Sequence, residues 1–564
     1  MFKHRMFLKL FEKRICGVSM KHLWTSDNVV KSPYKDIVIP DMTISEYIWR
    51  NVEKWSDKTA TICAVTDRKY TYNDIYKQSK KLGATLRKKF NIKDGDAVAI
   101  MLPNLPEYPT VILGILSAGG LTTTINPLYT SYEVQRQLLL SKPKVAVSLP
   151  ENVPLLKEAL KGSKLDIPII VIDVINDRPD NTVSFKEIIG NNVDFDVLND
   201  VKVTVDDVSL LLYSSGTTGL PKGVELTNKN IIANFEQQND DACRHYADTT
   251  ETNQDVILAY LPMFHSYGIS INMLHKLSVG LKLVTLPKFQ PDTFVTALEK
   301  HKFDIFYLAP PTVLFLASSP EVKTKHFEKL QFATVGAAST PMPDVEKFLD
   351  KVGHEMHFGQ AYGLTETAPL ATLSPLGVKD YVTVGNALSS VELRIVDGDM
   401  NNLGPNELGE LLIKGPNVMK GYKNNEEANR QIFVDEVWLR TGDLAKINEN
   451  GFVIIADRLK ELIKVNAFQV PPAELENVLK EHPAVLDAAV IGIPDDKTGE
   501  KPKAYIVLNK GANVSDKEIM DFVAERVAPY KKLKEVKFVD SIHKNMTGKI
   551  LRRVLLEEHL KGQS

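Results

Sequence analysis

From Thr43 to beyond Phe332, short apolar runs alternate with stretches of helical periodicity, and no other feature restricts the chain so strongly. Runs such as AVAIML at 97–102, KVAVSL at 144–149 and IPIIVID at 167–173 are bounded like buried strands. Strands separated by helices pair in parallel, because the helix carries the chain back across the sheet. The predicted class is therefore α/β. Between about 391 and 422 the pattern changes to VELRIVD and GELLIKG joined by the turn-rich NNLGPNELG, which predicts a hairpin-built, β-rich subdomain. After Asp457 the charged stretch DRLKELIK leads into a compact strand–helix pattern. The expected organisation is an N-terminal extension (1–42), a large domain of parallel-sheet αβ layers with the β-rich subdomain (43–456), and a small α+β C-terminal domain (457–564).

Composition narrows the possible partners. With 43% hydrophobic residues, 25% charged residues and a net charge of -2, the 564-residue chain has neither the basic stripe of a nucleic-acid binder nor the bias of a disordered protein. Cys16, Cys63 and Cys243 lack CxxC spacing, so no disulfide framework or zinc site is expected, and a reducing intracellular compartment fits. The apolar stretch YPTVILGILSAG at 108–119 falls short of the roughly 20 residues that span a bilayer. It suits a buried helix. The first twenty residues carry Lys3, Arg5, Lys9, Lys13 and Arg14 against Glu12, a pattern shared by mitochondrial presequences and amphipathic surface helices. Mitochondrial and cytoplasmic locations both remain open, and the terminal LKGQS is not an SKL-type peroxisomal address.

The chemistry concentrates in YSSGTTGLPKGV at 213–224. An apolar strand delivers its C-terminal end into a glycine-rich loop, the place where open α/β sheets bind ligands. Glycines let backbone N–H groups approach phosphate oxygens, and Ser214, Ser215, Thr217 and Thr218 add hydroxyls beside Gly216 and Gly219. Lys222 supplies a mobile positive charge. The spacing is not that of an NTPase P-loop, which needs Gly-Lys where Pro221 and Lys222 stand.

The whole string resembles the signature of the adenylate-forming superfamily, which includes acyl-CoA synthetases, 4-coumarate:CoA ligases and beetle luciferases. The resemblance implies that the loop holds the β- and γ-phosphates of ATP. FGQAYGLTETAP at 358–369 is similar to the family's YGxTE motif, which implies that Thr365 contacts the α-phosphate, Glu366 supports Mg²⁺ and Tyr362 lies near adenine. A carboxylate beside a hydroxyl also suits a hard, oxygen-seeking cation on its own terms. In WLRTGDLAKI at 438–447 an acidic turn is expected to end a strand, and Asp443 with Arg458 resembles the family's ribose clamp.

DRLKELIKVNAFQVPPAELE at 457–476 resembles the hinge about which the family's C-terminal domain swings. The likeness implies a mobile C-terminal domain, Asp457 and Lys460 flanking the pivot, and Lys464 and Gln469 facing substrate or nucleotide in one pose. Asn466-Ala467 replaces the usual Lys-Gly, adding a methyl and restricting φ beside the pantetheine channel. HKNMTGKILRR at 543–553 resembles the loop whose lysine, here Lys549, reaches the main-domain site during adenylation. LPMFHSYGIS at 261–270 resembles the PMFH motif, which implies that His265 lines the acid pocket and its exit toward coenzyme A. By position Tyr267, Gly336, Ala337, Ala338, Gly363, Ala368, Pro369 and Leu370 complete that pocket, with Ser339 where relatives often carry proline.

The resemblance implies an AMP-forming acid–CoA ligase using ATP, Mg²⁺ and coenzyme A, with a fatty acid or a 4-coumarate-like aryl acid as substrate. A luciferase-like oxygenase shares the first half-reaction, and a silent binding protein of the same fold is the alternative outside enzymes.

Overall fold

The computed structural model describes residues 23–173, 178–214, 221–338, 340–459, 461–465, 468–495, 498–527, 529–545 and 548–561, without the side chains of Arg458, Phe468 and Gln469. The basic segment 1–20, Ser215 to Gly219, Ser339, Lys460 and Asn466-Ala467 lie outside these residues.

Two largely parallel sheets form the large domain. One has eight strands, with Val208–Ser214 beside Leu121–Thr124 and Ala97–Met101, and ends in two antiparallel strands, Lys222–Thr227 and Gly421–Tyr422. The other has nine strands and carries Ile305–Leu308, Phe332–Val335 and His357–Gly363 side by side in parallel. The helix Tyr108–Ser117 is buried at every position up to Leu116, as a helix apolar on every side must be. Around it, residues of both sheets join one continuous core that includes Val98, Ile100, Leu210 and Ile257.

Local chemistry fixes the helix starts. Thr43, Thr71 and Thr130 each cap a helix reciprocally with an acidic residue three positions on, satisfying amides that have no partner inside the helix. The connecting segment after Val256–Ala259 is less ordinary: Tyr267–His275 is a π-helix of nine buried residues, a form concentrated at functional sites.

The β-rich subdomain is an antiparallel sheet built on Glu392–Val396, Gly409–Lys414 and Trp438–Ile447, closed by Val453–Arg458. The small domain has its own five-stranded sheet, centred on Gly499–Leu508 and Val485–Asp495, and its own core around Ile463, Leu475 and Ile506. Lys480 of the small domain meets Asp344 of the large one at 2.9 Å, with both side chains at most 10% exposed. Asp457 Oδ2 accepts the backbone amide of Ala473 at 2.9 Å, placing a carboxylate at the start of the helix Pro472–Lys480. No helix among the described residues is long and apolar enough to cross a membrane.

Candidate active site

Three chain segments converge on one carboxylate. The strand Val208–Ser214 brings Ser214, the turn Thr365–Thr367 brings Glu366, and the edge strand Gly421–Tyr422 brings Tyr422. Ser214 Oγ donates to Glu366 Oε1 at 2.7 Å, and Tyr422 OH donates to the same oxygen at 2.8 Å. Glu366 is buried, so these bonds replace the water its charge has lost. Burial and the neighbouring carboxylate hold the Tyr422 hydroxyl far above its ordinary pKa, which keeps it a donor. Lys222 Nζ stands 4.8 Å from the centre of the Tyr422 ring, a cation–π distance. Tyr422 thus joins two expected site residues, although nothing in its turn-like surroundings, KGYKNN, singles it out. Thr365 Oγ1 lies 3.3 Å from Ser266 Oγ, tying this turn to the segment that carries His265.

A second node lies at Asp443, whose Oδ2 accepts the Tyr362 hydroxyl at 2.6 Å. The expected strand end at TGD is absent. Trp438–Ile447 runs on as one strand, because Gly442 takes φ +68 and a bulge follows Leu444, turning Asp443 without stopping the ladder. Asp443 pairs with Arg458 across that ladder.

The small domain supplies the third element. Gly548 has φ +84 and packs directly on Pro311 of the large domain. Asn545 shapes the turn by accepting the Lys549 amide on Oδ1 at 2.8 Å and the Gly548 amide on its carbonyl at 2.9 Å. Behind it, Lys549 Nζ lies 3.6 Å from Glu461, which also holds Arg552, and Arg552 forms a bidentate pair with Glu476. Lys549 consequently lines a cavity of about 220 Å³ together with Ala337, Ala338, Tyr362, Gly363, Asp443 and Asp457. Lys464 does not line it. That residue is exposed on the strand Ile463–Val465.

On the acid side, burial pushes His265 down to about 4, so its ring is neutral at pH 7. Its Nδ1 accepts the Tyr267 amide at 3.3 Å, which leaves the ring proton on Nε2. Tyr267 is pinned by its hydroxyl, which lies 3.3 Å from the carbonyls of Leu308 and Thr334. A β-carbon on Gly336 would lie 3.3 Å from the Ala361 carbonyl and 3.6 Å from Tyr267 Cε1, so the Gly336 backbone, Ala361 and the Tyr267 ring are closely packed there. Gly363 is pressed against the Pro369 carbonyl, and Ala337 and Ala368 hold positive φ, a backbone strain typical of functional sites. Ser270 fixes Ala368 by donating to its carbonyl at 2.9 Å, and Leu370 lines a smaller cavity behind Tyr267.

No cluster of three or more metal-ligating side chains occurs among the described residues. That suits Mg²⁺, which takes one or two carboxylates and completes its shell with water and phosphate oxygens. Glu366 fits such a role: both its protein bonds fall on Oε1, and no donor among the described residues reaches Oε2.

Most of the chain resembles proteins of a known family. Residues 48–423 match the family described as AMP-binding enzyme, and residues 474–549 match the AMP-binding enzyme C-terminal domain. The chain is 36% identical over 534 residues to 4-coumarate–CoA ligase 3 of Oryza sativa subsp. japonica, covering 93% of this chain and 94% of that one. It is 35% identical over 540 residues to 4-coumarate–CoA ligase 1 of Solanum tuberosum, covering 94% and 96%. Among solved structures, ATP-bound MatB from Rhodopseudomonas palustris superposes with a TM-score of 0.81 at 27% identity, covering 92% and 99%. A benzoate CoA ligase from Burkholderia xenovorans also gives 0.81, at 26% identity, covering 91% and 100%. The chain therefore belongs to the AMP-binding enzymes of the adenylate-forming superfamily and is an ATP-dependent, AMP-forming acid–CoA ligase.

Proposed function

We propose that the acid is aromatic, and that Glu366, Asp443 and Lys549 divide its activation between them. The observation that carries this reading is the single cleft lined by Tyr362 and Asp443 of the large domain and Lys549 of the small one, beside the Ser214–Glu366–Tyr422 node.

In this reading the Asp443 carboxylate accepts the ribose hydroxyls, Arg458 donates beside it, and Tyr362 flanks the adenine. Lys222 and the hydroxyl-rich loop from Ser214 meet the β- and γ-phosphates. Thr365 and Lys549 steady the α-phosphate and the incoming carboxylate. With Mg²⁺ on Glu366, its charge offsets that of the departing pyrophosphate. One oxygen of the acid's carboxylate attacks the α-phosphorus, the bond to the pyrophosphate oxygen breaks, and acyl-adenylate and pyrophosphate result. Positioning and fixed charge carry this step, with no protein nucleophile. The sulfur of coenzyme A then attacks the acyl carbon, the bond to AMP breaks, and the thiol proton passes to solvent. His265, neutral and bearing its proton on Nε2, lines the passage between the acid and the thiol.

The closely packed, rigid wall made by the Tyr267 ring, Gly336 and Ala361 favours a flat acid over a flexible alkyl chain. The names of the relatives, 4-coumarate–CoA ligases and a benzoate CoA ligase, support the same class. Lys549 lines the cleft while Lys464 does not, which suits the adenylating pose. Rotation about Asp457 and Lys460 then exchanges the two for the thioester step. The test is pyrophosphate release across a panel of aryl and alkyl acids, with and without coenzyme A. Aryl acids should give the highest kcat/KM and a thioester product, and a preference for medium or long alkyl acids would overturn the substrate class.

A further inference from the structure

Behind the Tyr267 ring lies a cavity of about 10 Å³, bounded by Gln238, Cys243, Lys276, Tyr307 and Thr334 together with Tyr267 and Leu370, two residues expected to line the acid pocket. About 10 Å³ is room for one water-sized group.

Lys276 is the unexpected member. It sits at the end of the π-helix segment, is 1% exposed, and places its amine 5.0 Å from the centres of both the Tyr246 and the Tyr307 rings. No carboxylate among the described residues forms an ion pair with it. Its one hydrogen bond among the described residues runs to His275 Nδ1 at 2.8 Å. The direction of that bond follows from the next one. His275 Nε2 lies 2.9 Å from Asn239 Oδ1, an acceptor, so Nε2 carries the ring proton and Nδ1 must accept from the lysine. The chain continues outward: Asn239 Nδ2 donates to Tyr47 OH at 3.1 Å, and Tyr47 donates to Glu236 at 2.7 Å. The amine is therefore held in place by a fixed relay that uses only one of its protons.

Burying a lysine without a carboxylate is costly, and an apolar side chain of similar length would fill the same space without that cost. Desolvation and the nearby Arg244 hold its pKa far below the ordinary value, opposed only by a weaker pull from Asp255. That cost falls at a cavity walled by the expected acid-pocket residues Tyr267 and Leu370.

We propose that Lys276 is a specificity-determining residue that donates a hydrogen bond to an oxygen at the far end of the acid, opposite the carboxyl that is activated. This inference rests on the aryl-acid reading above and deepens it. The ligand chemistry is an oxygen acceptor, supplied by a phenolic hydroxyl or by a second carboxylate. An acid ending in bare hydrocarbon strips water from the amine and returns nothing, and a site built around a hydrogen bond rejects such a ligand strongly.

The experiment uses the full-length enzyme and acid-dependent ATP–pyrophosphate exchange. The acids are cinnamate, 4-methylcinnamate, 4-hydroxycinnamate and 4-carboxycinnamate, compared in the wild type and in Lys276→Met. The wild type should favour 4-hydroxycinnamate over its near-isostere 4-methylcinnamate by tenfold or more in kcat/KM, and Lys276→Met should bring that ratio to about one while retaining activity on cinnamate. The small cavity favours the hydroxyl, and a preference for the carboxylated acid that Lys276→Met abolishes also upholds the proposal, with an anion as the ligand. If Lys276→Met fails to fold, Lys276→Leu carries the same comparison, and the lack of any methyl/hydroxyl preference in the wild type overturns the proposal by itself. Exchange with no preference for an oxygen-bearing acid, or a preference unchanged in Lys276→Met, overturns the role of Lys276 alone. No exchange with any acid overturns the underlying reading as well.

Discussion

Gly548 of the small domain lies so close to Pro311 of the large domain that a β-carbon would collide with the proline ring. Its φ of +84 disfavours any other residue independently. Gly548→Ala is therefore expected to lift the loop from the large domain and carry Lys549 out of register. A displacement of about 1 Å in a positioning group can cost on the order of 100-fold. ATP–pyrophosphate exchange should fall by about that factor, with the thermal midpoint little changed. Exchange near the wild-type rate would show that the contact does not set the loop.

Lys549 itself is part-exposed and paired with Glu461 at 3.6 Å, so its removal should leave folding intact. Losing one preorganised donor costs roughly 2.7–4 kcal/mol in the transition state. Lys549→Ala should accordingly slow exchange by about 10²–10³-fold, while conversion of a supplied acyl-adenylate to the thioester stays close to normal. Equal loss in both half-reactions would contradict a role confined to adenylation.

Tyr422→Phe removes one of the two donors on Glu366 Oε1 and leaves the buried carboxylate with Ser214 alone. Hydrogen bonds to charged groups are worth about 1.5–3 kcal/mol. The expected outcome is at least a tenfold drop in exchange together with a changed Mg²⁺ requirement, read from a magnesium titration. A drop without any change in that titration would assign Tyr422 to Lys222 rather than to the carboxylate.

Stability should weaken in mild acid. Burial holds His265 and His357 at about 4 and also holds His245 and His275 well below their ordinary value, whereas each titrates near 6.5 when unfolded. Protons therefore bind the unfolded chain more tightly. The contribution of these histidines is complete above about pH 6.5 and is lost as pH falls from there toward 4, by up to about 1.4 kcal/mol per pH unit for each. Urea midpoints measured at pH 7.5, 6 and 5 should fall in order, and constant midpoints would rule the effect out.

The parallel sheets were legible because strand and helix periods differ, and Ser214, Glu366 and Asp443 because each sits in a string too long to arise as an ordinary turn. The continuation of the strand through Asp443 was not legible, since one glycine at positive φ can end a ladder or merely kink it, and the choice lies with the partner strands. Tyr422 was hidden for a related reason. It reaches Glu366 only because its two-residue strand pairs with Lys222–Thr227, far away in sequence. Lys276 reads as a surface residue in a list of amino acids, and only the enclosing Tyr246 and Tyr307 rings reveal where it lies.

The carboxylate node also sets a timetable. Ser214 and Glu366 are 152 residues apart, and Tyr422 follows Glu366 by another 56. Contacts that close such long loops form late, after the local helices and hairpins. On a ribosome adding roughly 5–20 residues per second, the large domain's early strands wait many seconds for the tyrosine that completes their most charged burial. Until then Glu366 keeps its water, and the edge beside Lys222–Thr227 waits for its last partner strand.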